Sequence, residues 1–220
     1  EAAGLQNTIN STAMEFQFLG VSASDVKDVA MGIADNMGGV SEVSRETVSA
    51  FASLNAHMGV SGAVSTQLAT TMMAIGASSA TAAAGQLESV GHLARQSGVA
   101  PAKIMEDMAS DMEFFSSFAK DGGVNLAKSA IMARKLGVNM ATVSKMADSL
   151  LDFESSINDQ MEAQMLTGKS INTDKAREMA LNGDLAGMQK EIVSQVGSEA
   201  EFNRLNVVQR QAMAKAFGVS

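Results

Sequence analysis

Leu19-Gly20-Val21-Ser22, Met58-Gly59-Val60-Ser61, Ser97-Gly98-Val99-Ala100 and Leu136-Gly137-Val138-Asn139 are four versions of one phrase. Their glycines stand at 20, 59, 98 and 137, 39 residues apart each time. The phrase has the chemistry of a joint between two helices. A glycine just past the last turn takes the left-handed conformation that stops a helix. The valine after it packs back on that turn, and a Ser or Asn then caps the next helix. In the first copy Ser22 has Asp25 at capping-box spacing, and in the third Pro101 stands where its missing N–H costs nothing. A further copy, Phe217-Gly218-Val219-Ser220, closes the chain.

Between the joints lie further breaks at Gly38-Gly39, at Gly76 with Ser78-Ser79, and at Gly122-Gly123. Each 39-residue unit is therefore expected to be an αα-hairpin of two helices of about four turns. The fold class follows: all-α, with a helical lead-in over 1–21, three hairpin units over 22–137, and a long helix plus a short-helix C-terminal region over 138–220. Residues 140–166 contain neither Gly nor Pro and predict the longest helix. Val143, Met146, Leu150, Phe153 and Ile157 recur along it at spacings of 3 and 4, a heptad-like stripe that Met161 and Met165 extend. These five residues are the candidate self-association face, and the chain is expected to be oligomeric. Asn172 is expected to cap a helix over 173–181. A helix over 185–196 follows, and Ser198 with Glu201 is a capping box opening a last helix over 199–217.

Composition narrows the function. The 220 residues hold 16 Lys+Arg against 24 Asp+Glu, a net charge of −8, with one proline, no cysteine, no tryptophan and no tyrosine. Zero cysteine excludes disulfides, thiolate nucleophiles and cysteine-based zinc sites. The acidic balance argues against stable nucleic-acid binding, which needs clustered Lys and Arg. The acidic excess is concentrated in residues 1–110, which hold 4 basic and 10 acidic side chains. Residues 47–87 carry no formal charge and are diluted by Ser, Thr, Gln and Gly. They read as helices packed closely through small residues, the sharper alternative being transient membrane contact. The 17 methionines suit core filling or an adaptable interface. The opening Glu1-Ala2-Ala3-Gly4 has no basic region ahead of an apolar core, so it is not a secretory signal, and both ends read as cuts through a longer polypeptide.

Reactive chemistry is sparse. His57 and His92 are 35 residues apart, each without a partner motif. Thr167-Gly168-Lys169-Ser170 has the tail of a phosphate-binding loop, but position 163 is Ala where that loop needs Gly. Asp121-Gly122-Gly123 lacks the alternating oxygens of a calcium loop. Glu106/Asp107 and Asp152/Glu154 sit among solvated helix residues. No catalytic residue, cofactor or metal site is expected. Phe114, Phe115 and Phe118 belong in a core or a chain–chain contact.

The second half has one resemblance. Glu113-Phe-Phe-Ser-Ser-Phe-Ala-Lys-Asp-Gly-Gly123, Ala133-Arg-Lys-Leu-Gly-Val138, Ser149-Leu-Leu-Asp-Phe-Glu-Ser155, Lys175-Ala-Arg-Glu-Met-Ala-Leu-Asn-Gly-Asp-Leu185 and Gly197-Ser-Glu-Ala-Glu-Phe-Asn203 are similar to segments of tail tape measure proteins of tailed bacteriophages. The resemblance implies a mostly helical, non-enzymatic chain packed in the tail tube lumen or at the baseplate end. Such a chain sets tail length during assembly and leaves before DNA passes. It also implies self-association as a trimer or hexamer about the tail axis, and contact with tail tube and baseplate hub proteins. Two alternatives stay open: a stand-alone helical-repeat adaptor or chaperone-like binding protein, and a membrane-active or wall-degrading tail-tip protein.

Overall fold

The structure, a computed structural model, describes residues 2–36, 39, 43–119 and 121–219. Among them it is all-helical, with no strand. The expected corners at Gly38 and Ser220 lie outside the described residues. The chain divides into two compact units, residues 1–127 and 128–220. The division falls ten residues before Gly137, where the sequence pattern changes.

Unit 1 contains α1 (Ala2–Phe16), a 3₁₀ turn (Gln17–Leu19), α2 (Ala23–Asn36), α3 (Arg45–Met58), α4 (Gly62–Ala74), α5 (Ala80–Gln96), α6 (Pro101–Ala109), α7 (Met112–Phe118) and a second 3₁₀ turn (Asp121–Gly123). α8 (Val124–Lys135) runs across the division. The joint glycines 20, 59, 98 and 137 all have positive φ, between 68° and 87°. At Gly98 the amide donates to Arg95 O (2.9 Å) and that of Val99 to Ala94 O (3.0 Å), the paired bonds of a Schellman stop. The Ser22–Asp25 box forms in both directions, and Ser61 and Asn139 cap α4 and α9 (Met140–Leu151). Among α1 to α6, each helix packs on the next and on the next but one. Ile33, Phe51, Leu68, Met72 and Leu87 fill the space between them.

The helices of unit 1 meet closely. A Cβ built on Gly62 would lie 3.0 Å from the Val29 backbone nitrogen, and one on Gly32 would lie 2.6 Å from Thr66 Oγ1. The α2–α4 crossing thus uses a glycine from each side. Gly62 lies within the uncharged stretch, and there this close contact uses one of its small residues. Within α4, Ser65, Thr66 and Thr70 turn their hydroxyls onto carbonyls of the preceding turn. No helix among the described residues is long and apolar enough to cross a membrane.

The third expected hairpin differs. α6 stops after nine residues, and Asp111 starts α7 by accepting from Phe114 N at 3.0 Å. Two four-turn helices are replaced by three shorter ones. Phe114 and Phe115 are buried here, with the Phe114 and Phe118 rings 4.6 Å apart.

Unit 2 continues with α9, α10 (Phe153–Thr167), α11 (Asp174–Leu181), α12 (Leu185–Val196), α13 (Glu199–Asn203) and α14 (Val207–Ala216). α9 packs on α10, α11 and α12, and α10 packs on α14. Val143, Leu150, Ile171, Leu185, Met188 and Phe217 are buried. Three expectations are corrected. The uninterrupted helix over 140–166 is broken at Asp152, which leaves helical geometry (ψ 89°) and caps α10 through Ser155 N. The last helix is two, because Asn206 and Gln209 form a second capping box. Thr173, not Asn172, is the cap residue of α11, while Asn172 accepts from Asp174 N in a local turn. The Ser198–Glu201 box is present in both directions.

Gly62→Ala forces α2 and α4 apart and is expected to destabilise the protein by about 1–3 kcal/mol. Gly85→Ala, in α5 with nothing within 4 Å of its added methyl, is expected to stabilise it by up to about 1 kcal/mol. Urea unfolding of the two variants measures both.

The capping carboxylates give a pH signature. Hydrogen bonds from the Ser22 side chain and amide hold Asp25 below its ordinary value, and those from the Ser198 amide and side chain do the same for Glu201. With the folded pKa lowered, their support of the helix starts is complete above the ordinary carboxylate range. It is lost as pH falls through the lowered values. NMR titration is expected to show both carboxyl midpoints below those of free side chains, with the Ser22 and Ser198 amide signals moving in step.

Candidate interaction surfaces

The break at Asp152 is held by one buried cation. Arg177, on α11, is 6% exposed. Its Nε donates to Leu150 O (3.2 Å), a carbonyl of α9's last turn. Nη2 donates to Ser156 Oγ and Thr173 Oγ1 (both 3.0 Å), and Nη1 to Asp174 Oδ1 (2.7 Å). The guanidinium carbon lies 5.4 Å from the centre of the Phe153 ring. An arginine donates in a fixed planar fork, so these acceptors together set where α9 ends and α10 begins. Gln160 extends the network, accepting from Thr173 N (3.2 Å) and donating to Ile171 O (3.0 Å), and Gln164 also donates to Ile171 O.

The break divides the expected self-association stripe. Val143, Met146 and Leu150 on α9 are buried within unit 2, so these three are core residues and not surface. Phe153 and Ile157 on α10 remain 53% and 46% exposed, and Met161 (54%) and Met165 (77%) extend the row. Four apolar side chains spaced four residues apart make a ridge inclined to the helix axis, the kind that crosses a like ridge on another helix. The opposite face of α10 is committed to α14. Lys215 Nζ reaches Asp159 Oδ1 (2.8 Å) and Glu162 Oε2 (3.3 Å), and Gln209 Nε2 donates to Leu166 O (2.9 Å). Asp159 and then Glu162 raise the pKa of Lys215, keeping it charged.

A second surface lies in unit 1. Asn10, Ala13 and Met14 of α1, Gln17 of the 3₁₀ turn and residues 20–23 after it line a groove of about 560 Å³. Beside it Met14, Phe18 (95% exposed) and Leu19 face solvent.

The two histidines each pair within their own helix. His57 Nδ1 pairs with Ser53 Oγ (3.0 Å), and His92 lies 3.8 Å from Glu88, both as neighbours one turn apart. Asp152 is a helix cap, and Gly168 ends α10. Asp25, Asp28 and Asp35 share a groove between α2 and α4, but among the described residues no group of three or more His, Asp or Glu has the geometry to hold a metal ion. No protein-family model, curated protein or solved structure matches the chain.

Sequence reasoning missed Arg177 because its partners lie up to 27 residues away. Arg177→Met takes the donor from Leu150 O and from the Ser156 hydroxyl, while the Thr173 hydroxyl keeps its bond to Gln160, and is expected to destabilise unit 2 by about 2–3 kcal/mol. Arg177→Lys is expected to recover little, since an ammonium cannot present the planar fork. Denaturant melts followed by signals from unit 2 would measure both.

Proposed function

We propose that this chain is a structural, non-enzymatic segment of a tail tape measure protein of tailed bacteriophages. It lies in the tail tube lumen or at the baseplate end, sets tail length with the rest of its polypeptide, and leaves ahead of the DNA. The observation that carries the reading is the exposed α10 ridge on an otherwise well-capped helical unit, within the half of the sequence that resembles tape measure segments. Copies associate about the tail axis, as a trimer or hexamer, through Phe153, Ile157, Met161 and Met165, beside tail tube and baseplate hub proteins. Further burial of each of these side chains contributes about 1 kcal/mol, against an association cost of at least about 4 kcal/mol. The isolated chain therefore pairs weakly, and the tube supplies the concentration that holds copies together. The net charge of −8 favours release over retention of DNA.

A second reading has its own support. The packing of each helix from α1 to α6 on the next and the next but one is what a helical-repeat module needs. In that reading the 39-residue phrase marks true repeats, and unit 1 is an array that binds a partner along its side.

Sedimentation across a concentration series tests the first reading. The natural chain is expected to associate as concentration rises, and Phe153→Ser with Ile157→Asp to stay monomeric while folded. Equal behaviour of the two chains overturns the assembly face. Deleting residues 60–98, one full period, tests the repeat. A cooperatively folded shorter chain supports it, and a molten one counts against it.

A further inference from the structure

Two interfaces inside unit 1 stand in fixed positions relative to the joints. In one, Val29 of α2 sits on Gly62 of α4, and in the other Met58 of α3 sits on Gly91 of α5, its sulfur 2.7 Å from where a Cβ would be. Gly62 comes three residues after joint Gly59, and Gly91 seven before joint Gly98. The same two places around joint Gly20 are Ala23 and Ala13, again small residues. Both line the groove of about 560 Å³. Where Gly62 is buried, Ala23 is exposed, while Ala13, like Gly91, is buried, keeping 9% exposure at the edge of the groove. Met14, Phe18 and Leu19 stand uncovered alongside.

We propose that this groove seats a further helix pair of the same polypeptide, ordered as α3 and α4 are: the second helix of one hairpin, a Gly-Val joint, and the first helix of the next. The pair sets a large apolar residue directly before its joint glycine on Ala13, as Met58 is set on Gly91. It sets another, nine residues after that glycine, on Ala23, as Val29 is set on Gly62. The proposal rests on the repeat reading of unit 1, and its occupant follows from continuity with those two contacts. A second copy is the poorer occupant, because its own Val29 and Met58 are already seated on Gly62 and Gly91.

The test adds the pair. A copy of residues 43–79 is placed ahead of the chain with its Ser79 joined to Ala2 in place of Glu1. The added joint glycine then falls 39 residues before Gly20. Hydrogen exchange is expected to show the added helices protected at least 100-fold, with α1 and α2 gaining protection. Ala23→Arg in the extended chain should abolish that protection, while Ala23→Arg in the natural chain leaves its urea midpoint unchanged. Added helices that exchange freely while α1 to α6 stay protected overturn the proposal. So does a natural chain whose self-association is lost with Ala23→Arg, which makes a second copy the occupant. Failure of the repeat itself is read separately, from the deletion of residues 60–98.

Discussion

Close approach of helix backbones is the constraint on which this molecule depends. The chain has nine phenylalanines, no tryptophan and no tyrosine, so few bulky rings are there to span wide gaps between helices. Beside its buried aliphatic and Phe side chains, cohesion draws on glycines placed where another helix must pass. Gly32 and Gly62 do this where α2 crosses α4, and Gly91 beneath Met58 does it where α3 meets α5. In unit 2 Gly218 presses on α9, where a Cβ would lie 2.7 Å from that of Ser149 and 2.9 Å from the Met146 Cα. At such distances dispersion between backbones adds to the burial of side chains such as Phe51, Leu68 and Leu87.

The two units solve the polar side of the problem differently. In unit 1 the hydroxyls of α4 are satisfied within their own helix, which lets a stretch without formal charge pack tightly. In unit 2 a single arginine gathers the loose ends of three elements: the last turn of α9, the first of α10 and the start of α11. Arg177 also underlies the Phe153 ring. The polar core and the exposed apolar ridge are thus one construction.

Much of the fold was legible in the sequence because its corners are local chemistry. A Gly-Val-Ser phrase contains its own helix stop, its own apolar companion and its own cap, so Gly20, Gly59, Gly98 and Gly137 could be placed without tertiary information. The breaks at Ser110-Asp111, Asp152 and Asn206 were not read, because periodicity does not register a one-residue interruption that leaves the 3-4 spacing intact. A local signal existed for one of them, the Asn206–Gln209 box. For Asp152 the deciding partner is Arg177, remote in sequence, and no local pattern announces it. The candidate face was therefore read as five continuous residues, while the structure buries three and leaves Phe153 and Ile157 outside.

The near-neighbour packing of α1 to α6 has a mechanical consequence. Contacts that mainly join adjacent or next-adjacent helices are short-range along the chain, which keeps contact order low and folding fast. Such an arrangement has no distant strand or staple to lock it. Pulled from its ends, it can yield helix by helix, each step releasing a few contacts and none requiring the whole core to rupture at once.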